Sequence, residues 1–96
     1  MNLEITTIDH QKRIQLGLSP EEYCVLDFYY KVQIHPKYSI DGWADLSDEQ
    51  VWEFIWITED EIRRIISTLI EIGFIETNQE NTKLRRVTSK WYDLQN

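Results

Sequence analysis

The sequence predicts a single α+β domain, mainly helical, with a three-helix core and a small β-sheet. Three observations predict it. Ser19-Pro20-Glu21-Glu22 and the Ser47/Gln50 pair are both helix-capping signals. Thr58 precedes Ile62, Ile65, Ile66, Leu69 and Ile70, an apolar stripe at helical spacing. After Gly73 the pattern turns to short strand-like runs separated by Asn78-Gln79-Glu80-Asn81.

The elements follow in order. Residues 3–8, LEITTI, alternate loosely and suit a short strand or an ordered arm. Asp9 caps a helical turn that ends at Gly17. The first long helix starts after Ser19, with proline at its first position and Glu22 completing a capping box. It runs to about Gln33, because Ile34-His35-Pro36 disfavours helix before the proline. Its apolar residues leave little polar face, so it is expected to be buried on several sides or to lend one face to a partner. Asp27 and Lys31 are spaced for an i,i+4 ion pair. A loop follows, with one short strand around Ile40 to Ala44 and a turn at Asp41-Gly42. The second core helix spans Asp48 to Ile55. The third begins after Thr58, carries Glu59, Asp60 and Glu61 in its first turn, and stops at Gly73. Phe74–Thr77 and Leu84–Thr88 pair as a hairpin. The tail holds Trp91 and Tyr92 and is expected to dock on the body or on a second subunit.

Composition narrows the function classes. The chain has 96 residues, 42% of them hydrophobic and 28% charged, which suits one folded domain. The net charge is −7, opposite in sign to a typical dedicated nucleic-acid binder. One cysteine, Cys24, excludes an intrachain disulfide and fits a reducing, cytoplasmic setting. It is expected to be a buried small hydrophobe. No apolar run is long enough for a membrane span. His10, Cys24 and His35 lack metal-ligand spacing, and three glycines cannot build a phosphate loop. No catalytic residue, metal or cofactor is therefore assigned, and the chain is not read as an enzyme.

The order helix, short strand, helix, helix, hairpin is the winged-helix arrangement. The divisions are 1–18 as N-terminal arm and short helix, 19–77 as three-helix core, 74–88 as wing, and 89–96 as tail, with a two- to three-stranded sheet. The strings LGLSPEEYCVLDFYYK, HPKY, GW, ITEDEIRRIISTLIEIGFIE and KWY resemble small winged helix-turn-helix proteins of phages and mobile elements. The resemblance spans Leu16 to Tyr92. It implies double-stranded DNA binding in transcriptional regulation or replication initiation. In the general helix-turn-helix pattern a small residue sits in the second helix and a glycine in the turn. Those two positions hold Trp52 and Trp56 here.

Two constellations of residues compete. On the DNA-binding reading, Arg63, Arg64, Ser67 and Thr68 face the major groove from the third helix. Lys83, Arg85, Arg86 and Lys90 lie in an acid-free run and grip backbone from the wing. Four phosphate contacts from that run would give a log–log salt slope of about −3.6. On the rival reading the chain is an acidic interaction module that inhibits or recruits. Eight acids and no base lie between Tyr38 and Ile62. Trp52, Trp56, Glu53, Glu59 and Asp60 would then meet a protein partner, since tryptophan is enriched at interface centres. Trp52, Phe54 and Trp56 cannot all point inward with Val51 and Ile55, so at least one ring should be exposed. A homodimer through the first helix or the tail is compatible with both readings.

Overall fold

A computed structural model describes residues 8–55 and 57–92. Within them the chain is α+β, with five helices and a four-stranded antiparallel sheet. The order is α1 (His10–Leu16), α2 (Pro20–Gln33), β1 (Ser39–Ile40), β2 (Trp43–Ala44), α3 (Asp48–Ile55), α4 (Glu59–Glu71), β3 (Ile75–Thr77), β4 (Arg85–Val87) and α5 (Ser89–Tyr92). The stretch LEITTI falls almost wholly outside the described residues.

The helix starts lie where short polar side chains can satisfy the first unpaired backbone amides. The Asp9 carboxylate accepts from the Lys12 amide at 3.0 Å. At α2 the capping box is complete: Glu22 N donates to Ser19 Oγ at 3.1 Å, and Ser19 N donates to Glu22 Oε1 at 2.7 Å. Ser47 and Gln50 repeat that exchange at α3. Thr58 Oγ1 accepts from the Glu61 amide at 3.3 Å and opens α4. Gly17 (φ 72°) and Gly73 (φ 89°) lie in the left-handed region just beyond α1 and α4, where a side chain would strain the backbone.

Helix α2 is the central element. Tyr23, Val25, Leu26, Phe28, Tyr29 and Val32 are all buried on it. Helix α4 packs against it through Ile62, Ile65, Ile66 and Leu69. Ile70 departs from the expected stripe and is 40% exposed. It stands about 100° round the helix from Leu69, in the last turn, where the buried seam has narrowed. Cys24 also departs from expectation. It is only half-buried, and that partial burial pushes its thiol pKa up.

The sheet is larger than the expected two or three strands. Asp41 (φ 52°) and Gly42 (φ 82°) form a two-residue loop between β1 and β2. Two successive positive φ values match the twist of a tight hairpin, which is why Asp-Gly favours one. The segment expected as one strand is thus two, in register Ser39↔Ala44 and Ile40↔Trp43. The sheet order is β1-β2-β4-β3. Ala44 pairs with Arg85, and Ile75, Glu76 and Thr77 pair with Val87, Arg86 and Arg85. Ala44, Ile75 and Val87 turn toward the core, and the side-chain Oε1 of the buried Gln33 accepts from Val87 N at 2.7 Å. The loop between β3 and β4 is held by Asn78 Oδ1, which accepts from Glu80 N and Asn81 N.

The tail docks on the body as far as it is described. Trp91 on α5 is 1% exposed and meets Tyr23 edge to face at 4.9 Å. Lys12 Nζ lies 3.5 Å from the centre of the Trp91 ring. Among the described residues, no helix is long and apolar enough to cross a membrane.

Candidate functional site

The buried stripe of α4 turns the opposite face of that helix outward. Arg63, Arg64 and Ser67 are exposed there, and Thr68 is half-buried. The Thr68 hydroxyl donates to the Arg64 carbonyl at 3.0 Å, so its hydrogen is already committed within the helix. Both arginines are held by carboxylates of the same helix. Arg63 Nη2 reaches Glu59 at 3.0 Å, and Arg63 Nη1 reaches Asp60 at 3.1 Å. Arg64 Nη2 reaches Glu61 at 2.5 Å. The first-turn acids therefore do two things. They complement the helix dipole, and they neutralise the cations one turn later.

One carboxylate joins this face to the sheet. Asp48, in the first turn of α3, accepts from Arg85 Nη1 at 3.0 Å through Oδ1. Its Oδ2 lies 3.6 Å from Arg63 Nε. Arg85 Nη1 also donates to the Tyr29 hydroxyl at 3.3 Å. Burial works against the Arg85 cation, but the Tyr29 oxygen and the Asp48 carboxylate outweigh it and leave its pKa raised. Burial also pushes the Tyr29 phenol up, with Arg85 opposing. A cleft of about 390 Å³ opens beside this cluster, lined by Asp45, Ser47, Asp48, Gln50, Lys83 and Arg85 among others.

The four basic residues of the C-terminal run have different surroundings. Lys83 is exposed in the β3–β4 loop. Arg85 turns inward to Asp48 and Tyr29. Arg86 lies on the other face of the sheet, where Nε donates to Glu76 at 2.7 Å and the guanidinium stacks 4.0 Å from the Trp43 ring centre. Lys90 is not on the hairpin. It belongs to α5, and its Nζ donates to the Ile72 carbonyl at 2.7 Å, over the Phe74 ring.

On α3, Val51 is fully buried and Trp52 is 39% exposed. Phe54 is half-buried between Phe28 and Tyr38. Glu49 and Glu53 are exposed beside Trp52 in sequence. Trp56 lies outside the described residues. Of the residues singled out from sequence, the structure brings Arg63 and Arg85 together through Asp48, and Glu59 and Asp60 onto Arg63. It does not gather Lys90 or Arg86 with them.

Sequence reasoning does not reach Asp48 or Tyr29. Asp48 is one acid among eight, and its partner Arg85 is 37 positions away in sequence. Nothing local marks such a pair. Among the described residues, no three histidine, cysteine, aspartate or glutamate side chains converge as metal ligands. No protein-family model, curated protein or solved structure significantly matches the chain.

Proposed function

We propose that the chain is a winged-helix domain that binds duplex DNA through the outer face of α4 and the β3–β4 hairpin, in a regulatory or replication-initiation role. The observation that carries this reading is the exposed trio Arg63, Arg64 and Ser67 on a capped helix. That helix follows a short helix and precedes an antiparallel hairpin, an order that supports the winged-helix assignment. Arg63 and Arg64 already stand in water, so meeting a phosphate costs them little desolvation. Their pairs with Glu59, Asp60 and Glu61 are exposed and screened, and exposed pairs of this kind hold weakly. A phosphate can replace them. The surrounding acids repel the DNA backbone, so affinity is modest, and salt weakens the few arginine and lysine contacts to phosphate.

The contact set is Arg63, Arg64 and Ser67 from the helix and Lys83 from the hairpin loop, with Arg85 behind. Lys90 is left out because α5 carries it. Three exposed cations give a log–log salt slope of about −2.7. The test is fluorescence anisotropy of labelled duplexes titrated with the full chain across a salt series, beside an Arg63→Ala/Arg64→Ala variant. Binding at low salt that the variant loses is the expected result. No binding of any duplex at low salt overturns the reading.

A second reading has its own observation. Trp52 is 39% exposed on a helix whose neighbouring exposed side chains are Glu49 and Glu53. An acidic surface around an aromatic suits a basic protein surface, with charge speeding the encounter. On this reading the chain occupies a partner's DNA-binding face, and duplex titration stays flat.

A further inference from the structure

We infer that Asp48 is an intramolecular stand-in for a DNA phosphate, and that duplex binding proceeds by exchanging its carboxylate for a backbone phosphate. The inference rests on the DNA-binding reading above and adds a regulatory residue to it.

Asp48 links two cationic groups that come from separate elements. Its Oδ1 accepts from Arg85 of β4 at 3.0 Å, and its Oδ2 faces Arg63 of α4 at 3.6 Å. A phosphodiester presents the same chemistry: two acceptor oxygens sharing one negative charge. The arginines are also placed differently. Arg63 is 57% exposed at its side chain and can swing to a new partner. Arg85 is held from behind by Tyr29 and keeps its direction when the carboxylate leaves. The adjoining cleft already carries Lys83 and the capped start of α3, and both favour an anion. Asp48 occupies that favourable place with a charge of its own.

Glu49 supplies the control. It is next in sequence, on the same helix turn and with the same charge, but it takes part in none of the ion pairs among the described residues. A uniform charge effect would make the two acids equivalent. A latch makes them different.

The experiment is the duplex anisotropy titration on wild type, Asp48→Asn, Asp48→Ser and Glu49→Gln, each across a salt series and each with a thermal melt. Removing one repulsive charge within about 4 Å of a phosphate gives roughly fivefold tighter binding for Asp48→Asn at low salt. Freeing Arg85 as a contact beyond the three already counted steepens its salt slope by about 1. Asp48→Ser, a residue accepted at helix starts, behaves the same way and covers a loss of folding in the asparagine variant. Glu49→Gln shifts affinity less and leaves the slope unchanged. Equal gains in the Asp48 and Glu49 variants overturn the latch in favour of simple charge. So do unchanged or weaker binding in both Asp48 variants while wild type binds. Absence of binding by every protein overturns the latch together with the DNA-binding reading.

Discussion

The α1–α5 junction and the α3–α4 face handle positive charge in different ways. At the junction, the Lys12 ammonium is buried and lies over the Trp91 ring, with no hydrogen-bond acceptor among the described residues. Burial lowers its pKa, with Asp27 and Asp9 opposing. On the α3–α4 face, Arg63 and Arg64 stand in water, Arg63 with a carboxylate near each guanidinium nitrogen and Arg64 with one on Nη2. A charge taken out of water changes the free energy of folding. One left in water changes mainly what the surface can bind. The junction is thus expected to govern stability and the charged face to govern recognition.

The largest effect tests the junction. Trp91→Ala removes a fully buried ring from between Tyr23 and Lys12. Loss of a buried tryptophan costs about 3–5 kcal/mol. Urea denaturation followed by circular dichroism is expected to show a loss on that scale, out of a typical total of about 5–15 kcal/mol. A loss of only about 1 kcal/mol would mean that α5 is not part of the stable core.

Lys12→Met sharpens the same point. The pKa of Lys12 is depressed below 10.5, so in the window beneath 10.5 the unfolded chain holds the proton more tightly than the folded one. Stability from this group therefore rises with pH across that window. The methionine variant is expected to be at least as stable as wild type at neutral pH, with wild type gaining on it as pH approaches 10.5. Tyr23 and Tyr29, whose pKa values burial raises, titrate alike in both proteins and cancel in the difference. Paired urea melts across pH give the answer. A variant less stable by more than about 1 kcal/mol at neutral pH would show that the ring–ammonium attraction outweighs desolvation.

The smallest stability effect belongs to the charged face. Trp52→Ala changes a side chain that is 39% exposed. Its melting temperature is expected to fall by no more than about 5 °C. A much larger fall would place Trp52 with the core, and the contrast between the two regions would weaken. A small fall accompanied by lost association with a basic protein would favour the second functional reading.

Much of the fold was legible because its signals are local. Ser19 and Glu22, Ser47 and Gln50, Thr58 and Glu61 act across three residues, and a capped helix start needs nothing from the rest of the chain. The period of Ile62, Ile65, Ile66 and Leu69 likewise names the buried face of α4 before any partner is known. The β1–β2 hairpin was half legible. Asp41-Gly42 announced the turn, but strands of two residues each carry too little pattern to be seen as a pair. The candidate site was legible as residue types and not as an arrangement. Arg63, Arg64 and Lys83 stand exposed on the surface, while Arg86 and Lys90 are held against Glu76 and Ile72.

By itself, then, the sequence determined where helices begin and end and which of their faces are apolar, because backbone capping and helical period are set by neighbours along the chain. Only the tertiary structure decided which charges meet. Lys12 with Trp91, Gln33 with Val87, and Arg85 with Asp48 and Tyr29 are all separated by long stretches of sequence. Each pairing exists because packing on α2 brings distant segments within a few ångströms, the range over which desolvation and hydrogen bonding act.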